Sequence, residues 1–183
     1  MGIPLEERGR RCSEGIEVLR LLWSGEKVDY DGRHFRLRGA WSDPTPLGHI
    51  PIGVGGRSPG ARRRAALLAD RWTPMFLTPE RLTDGIGEIA ALAAGAGRRP
   101  PEAGVQLWTC VAPEDEAAGR LGTMLERVYR VPWDRFQRYC LWGPPEKVAD
   151  DLGAWRAAGA RHVNLILAGG FDEQVERLHP FLR

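Results

Sequence analysis

The sequence predicts an α/β fold made of parallel βαβ units, and three observations predict it. Short apolar segments near residues 50–54, 70–76, 105–112 and 162–167 are each followed by a helical pattern. Glycine and proline cluster at the junctions between these segments. The 183 residues, 43% hydrophobic, are enough to bury one core, so the expectation is a single domain spanning 1–183. Strand twist makes the crossovers between such units right-handed. An open sheet of these strands and one half of an eight-stranded barrel would show the same pattern. A complete barrel of that kind takes about 250 residues, more than this chain has.

The first element is helical. Leu5, Gly9, Cys12, Ile16, Leu19 and Trp23 recur every three or four residues and share a stripe. Pro4 suits a helix start, Glu6 and Glu7 favour the positive end of the dipole, and Ser24-Gly25 stops it. Asp31-Gly32, flanked by Val28, Tyr30, His34 and Phe35, signals a two-residue hairpin. That hairpin and the proline-rich loop after it form an insertion over 27–49, ending in Asp43-Pro44-Thr45-Pro46.

Ile50 to Val54 then reads as a buried strand, followed by Gly55-Gly56-Arg57-Ser58-Pro59-Gly60 and a helix from Ala61 to Ala69. Asp70 to Phe76 reads as a second strand with Trp72 inside. The helix from Pro79 to about Ala94 buries Leu82, Ile86, Ile89 and Ala93. Val105 to Ala112 is the clearest strand. The helix behind Pro113 runs to about Tyr129, with Ala117, Leu121, Met124 and Val128 expected inward. The stretch from Val131 to Trp142 is aromatic and irregular. A helix begins at Gly143-Pro144-Pro145-Glu146 with Val148, Leu152 and Trp155 inward, and Gly159 ends it. His162 to Leu167 is the last strand, and a helix from about Asp172 to His179 closes the chain.

Composition excludes several function classes. The net charge of +2 and the absence of a matching motif argue against nucleic acid. Cys12, Cys110 and Cys140 are far apart, with no CxxC and no zinc-ligand spacing, which argues for a reducing cytoplasm and no metal. The charged start MGIPLEERGRR lacks an apolar signal core. No apolar run nears the ~20 residues that span a bilayer, so no membrane role is expected.

The segment that carries chemistry is IPIGVGGRSPGARRRAALLADRW, residues 50–72. A strand ends in Gly55 and Gly56, then Arg57 and Ser58 lead into a helix. Glycine lets backbone N–H groups approach an anion closely. The helix N-terminus adds unpaired donors and partial positive charge. Ser58 adds a hydroxyl and Arg57 a guanidinium. The residues suit a phosphate; a tight turn of no other purpose would use the same ones.

The remaining candidates are weaker. His34 is expected in solvent, His49 beside a strand without a partner, His162 at the strand end opposite the functional one, and His179 near the terminus. None meets the geometry of an acid or base. Trp108 and Cys110 are core or pocket wall. Met75, Phe76 and Thr78 follow a strand at its functional end. Arg62, Arg63 and Arg64 are expected on a solvated helix face.

Taken in order, the helix RGRRCSEGIEVLRLLWSGE, the hairpin VDYDGRHF, the approach DPTPLGHIPIGVGG, the helix ARRRAALLADRW and the late segment WGPPEKVADDLGAWRAAGARHVNLIL resemble the luciferase-like monooxygenases and their deazaflavin-dependent relatives. Arg71 stands where that family has glycine. The resemblance implies the C-terminal half of a (β/α)8 barrel of the TIM type, roughly its last four strands with their helices. It implies an oxidoreductase acting on a small-molecule substrate with FMN or coenzyme F420, a deazaflavin. Gly55, Gly56, Arg57 and Ser58 would hold the cofactor phosphate. The family's catalytic side chains are expected on about four strands ahead of the first helix, so none is assigned here. A second copy of the chain or a separate N-terminal half would complete the barrel. A non-catalytic half-barrel that self-associates and a small α/β anion-binding module are the alternatives.

Overall fold

Residues 2–181 are described by the computed structural model, so residues 1, 182 and 183 of the expected domain span lie outside the described residues. Pro4 precedes the first helix, α1 (Leu5–Leu22), with Glu6 and Glu7 in its first turn. Its buried residues are Ile16 and Val18, while Leu5 is 75% exposed and Cys12 is exposed. The expected stripe is therefore only partly inward, because α1 meets the domain through its second half.

Strands β1 (Val28–Asp31) and β2 (Arg36–Ala40) pair antiparallel, with Asp31 opposite Arg36. The two-residue turn is corrected to four residues, Gly32 to Phe35, closed by the Gly32 N–H on the Phe35 carbonyl at 2.9 Å. A tertiary partner selects this longer turn. The Glu14 carboxylate of α1 accepts from the backbone N–H of His34 and Phe35 at 2.9 and 2.8 Å. Burial alone would raise the Glu14 pKa, but these two bonds outweigh it and hold it below the usual value. His34 is half-buried rather than solvated.

The parallel strands are β3 (Gly53–Val54), β4 (Arg71–Trp72), β5 (Glu102–Val111) and β7 (His162–Leu167), with a short β6 (Leu141–Gly143) between β5 and β7 in sequence. The two early strands are shorter than expected. Ile52 and Asp70 bond each other outside the regular ladder, and beyond Trp72 contact resumes only as a bridge from Met75 to Gln106. Pro51 and Pro74 lack the N–H a ladder needs. The connecting helices are α2 (Pro59–Leu68), α3 (Pro79–Gly95), α4 (Glu114–Tyr129), α5 (Pro145–Ala157) and α6 (Phe171–Leu178).

The edges of β5 explain the topology. Its even residues Glu102 and Gln106 donate to Asp70 and Pro74 beside β4, and Ala112 donates to Gly143 of β6. Its odd residue Thr109 accepts from Ala168, on the β7 side. Alternate residues of a strand present their polar backbone to opposite edges. So β6 continues the edge that β4 begins, and the main order is β3-β4-β5-β7. Sequence reading missed β6 because it is three residues long behind an aromatic loop.

One core joins Ile16, Ala65, Ala66, Leu82, Ile89, Val148, Trp155 and Leu178, from α1, α2, α3, α5 and α6, to Val105, Leu107 and Val111 of β5. The crossover helices α2, α3 and α5 thus share one face of a sheet whose strands β3, β4, β5 and β7 follow in sequence order, and α4 lies on the other. A doubly wound sheet reverses its strand order at a switch point; a barrel keeps its strands in sequence order. This favours the half-barrel over an open anion-binding module. The other face of β5, Trp108, Cys110 and Ala112, is covered by Ala117, Leu121 and Leu125 of α4 with Phe136 and Cys140. Met124 and Val128 are 37% and 55% exposed, so the inward stripe of α4 is corrected to 117, 121 and 125. That spacing of four keeps all three on one side of the helix.

Two polar groups close gaps in this frame. Gln174 of α6, 1% exposed, accepts from the Val111 N–H at 2.6 Å and donates to its carbonyl at 3.3 Å. It replaces the strand neighbour that β7 is too short to supply. Gln174→Leu leaves that N–H unpaired, and a loss of about 1–3 kcal/mol is expected, measured by urea unfolding. Asp70 accepts from the Ile52 N–H at 2.7 Å, from Arg20 of α1 and from His49 at 3.1 Å. His49 therefore has a partner and a structural task. The run 62–64 is also corrected: Arg62 lies 3.0 Å from the Glu88 carboxylate and Arg64 donates to Ser13 at 3.1 Å, leaving Arg63 exposed.

Candidate cofactor phosphate site

The Gly55–Ser58 turn lies at the C-terminal end of β3 and enters α2, and all of its residues are exposed. Gly56 has φ +92°, a conformation that favours glycine, and a Cβ there would meet the Ala61 Cβ at 2.9 Å. The turn is fixed from below. Trp72, 1% exposed, donates from Nε1 to the Gly56 carbonyl at 2.9 Å. Ser58 caps α2 by accepting from the Ala61 N–H at 3.2 Å, which leaves its own hydroxyl hydrogen free to donate. Arg57 donates to the Phe76 carbonyl.

The backbone N–H groups of Gly55, Gly56, Arg57 and Ser58 have no acceptor among the described residues. Exposed amides converging beside a capped helix N-terminus form an anion cradle. The residues present therefore fit a phosphate, whose oxygens would supply the acceptors these amides lack. The other sequence candidates fall elsewhere. Trp108 and Cys110 are buried in the second core, at 8% and 0% exposure. Burial raises the Cys110 thiol pKa and pushes that of Cys140 up to about 12. Thiol reagent at pH 8 should therefore modify Cys12 first, with Cys110 and Cys140 reacting only on unfolding, as peptide mass mapping would show. His162 pairs with Thr73 at 2.8 Å over Gly104, at the start of β7 and away from the turn. Thr78 precedes α3 as its cap.

Met75 and Phe76 pack against the second core. Phe76 has φ +57°, rare for a residue with a Cβ, and its ring sits among Tyr129, Phe136 and Tyr139. No spacing in the sequence marks that conformation. Among the described residues there is no group of three His, Cys, Asp or Glu placed to hold a metal, and no helix is long and apolar enough to cross a membrane.

Comparison with known proteins places this geometry. The chain is 35% identical over 203 aligned positions to the F420-dependent glucose-6-phosphate dehydrogenase of Mycolicibacterium fortuitum, covering 97% of this chain and 52% of that protein. An F420-dependent secondary alcohol dehydrogenase, solved with an F420-acetone adduct, superposes on the whole chain with a TM-score of 0.87 at 19% identity, over 64% of its length. The oxygenating constituent of 3,6-diketocamphane monooxygenase from Pseudomonas putida, in complex with FMN, gives 0.66 at 15% identity, covering 96% of this chain and 62% of that one. These superpositions show the fold to be part of a TIM-type barrel. The first curated relatives are matched over less, about a third of their own length: 35% and 28%. A family model described as luciferase-like monooxygenase matches residues 1–127, more than half of the sequence, and the chain belongs to that family.

Proposed function

We propose that this chain supplies the cofactor-phosphate half of a flavin- or deazaflavin-dependent oxidoreductase acting on a small organic substrate. The observation that carries the reading is the exposed Gly55–Ser58 turn with unclaimed amides at a strand end. The names of the relatives, two with F420 and one with FMN, support either cofactor. When bound, the cofactor would supply hydride or oxygen chemistry. This chain's own part is to bind and orient. Amides of residues 55–58, the Ser58 hydroxyl and the Arg57 guanidinium would take the phosphate, and the Trp72 bond to Gly56 would hold the turn still.

We further propose that residues 1–183 act as one domain completed by a second half-barrel, from a separate polypeptide segment or another copy of the chain. Strands β3 and β7 are each paired on one edge only among the described residues. Open parallel edges invite further strands. The three unpaired thiols fit a reducing cytoplasm.

Titration of the purified protein with FMN and with coenzyme F420, followed by cofactor fluorescence, tests the reading. Saturable binding that weakens about tenfold in Ser58→Ala and in Arg57→Ala is expected, from loss of one charge-assisted bond each. Equal affinity in both variants and wild type would remove the phosphate assignment.

A further inference from the structure

Beside the turn, a cleft of about 590 Å³ is lined by Arg57, Arg135, Arg138, Phe76, Phe136 and Tyr139 together with Val131 and Pro132. It has three guanidinium groups and no carboxylate among its walls. Asp134 lies 3.9 Å from Arg135, and both are exposed to solvent, so it neutralises little. The Arg138 guanidinium sits 4.7 Å from the centroid of the Tyr139 ring, which orients it without cancelling its charge.

Arg57 reaches the cleft from a distant part of the chain, and the Phe76 carbonyl holds it there. That carbonyl is presented by a residue with φ +57°. A bulky residue in this region costs about 1–3 kcal/mol and persists only where its surroundings impose it. Here the imposing groups are aromatic: Phe76 lies 5.2 Å from Tyr129 and 5.1 Å from Phe136 between ring centroids. The strained residue thus both forms the apolar floor and fixes one cation at the rim.

Three like charges gathered over an aromatic floor repel one another until an anion enters. We propose that this cleft binds an organic anion bearing a ring, an aryl phosphate or carboxylate, with the ring on Phe76 and Tyr139 and the anion among Arg57, Arg135 and Arg138. The inference shares Arg57 with the cofactor reading but uses none of the amides of the Gly55–Ser58 turn, so either reading can fail alone.

Phenyl phosphate is the probe, titrated calorimetrically at low salt, with benzyl alcohol as the neutral comparison. Saturable binding of phenyl phosphate and none of benzyl alcohol is expected. The Arg135→Ala/Arg138→Ala double variant changes exposed side chains only, and circular dichroism checks its fold. It should bind at least about tenfold more weakly. Absence of saturable binding, or unchanged affinity in the double variant, overturns the proposal. Retained binding at saturating FMN assigns the anion to a second ligand. Competitive loss would mean that the cleft receives the cofactor's own phosphate and would overturn a second site. If neither FMN nor coenzyme F420 binds, the cofactor reading fails while the phenyl phosphate titration still decides this one.

Discussion

Trp72→Ala is expected to destabilise the protein by about 3–5 kcal/mol, the range for deleting a large buried aromatic side chain. The indole is 1% exposed and lies over Gly85, where even a Cβ would come within 2.3 Å of it. Glycine at 85 leaves room for the ring, and it has no side chain of its own to fill the hole. Urea unfolding with a shared slope would measure the loss. Trp72→Phe separates two causes. It keeps most of the bulk but removes the Nε1 bond to the Gly56 carbonyl. A loss of about 1–2 kcal/mol is expected, from one hydrogen bond and a smaller ring. Hydrogen exchange at residues 55–58 should speed up in this variant even where the core stays protected. Unchanged exchange there would show that the turn does not depend on the indole.

Gly56→Ala has the second large effect, on binding rather than the core. At φ +92° the new side chain is strained, and its Cβ lies 2.9 Å from that of Ala61. The cost to stability is about 1–3 kcal/mol. Relief by turning the peptide would move the Gly56 and Arg57 amides away from a bound phosphate. FMN or F420 affinity should fall about ten- to a hundredfold, the equivalent of about 1.5–3 kcal/mol. Serine at position 58 offers a contrast. Ser58→Ala removes a helix cap at a cost of about 0.5–2 kcal/mol, yet it leaves every backbone amide in place, so its effect on affinity should be smaller. Equal losses in the two variants would indicate that helix fraying, not the amide cradle, controls binding.

The parts legible in the sequence were those set by local chemistry. Pro79 begins a helix, Gly159 with φ +101° ends one, and the apolar run of β5 forms the longest strand, while α2 begins at Pro59, two residues before the expected Ala61. The Gly55–Ser58 turn was legible for the same reason: a glycine pair, a capping serine and a helix start lie side by side in the chain. The parts missed depend on partners far apart. Glu14 lengthens the hairpin turn from 20 residues away, and Gln174 completes β5 across 63 residues. Phe76 adopts its left-handed backbone under aromatic neighbours that follow it by more than fifty positions. The arginine cleft was missed for that reason too, since Arg57 and Arg138 belong to distant segments.

The order of the four main parallel strands and the helices between them was determined by the sequence alone, because each rests on periodicity and on glycine and proline at fixed places. Whether the sheet was open or half a barrel was decided only by the tertiary structure. That choice depends on which strands pair across the sheet, and the sequential order β3-β4-β5-β7 answers it. The same is true of the free amides at residues 55–58. A backbone donor is available to a ligand only if no other part of the folded chain has already taken it.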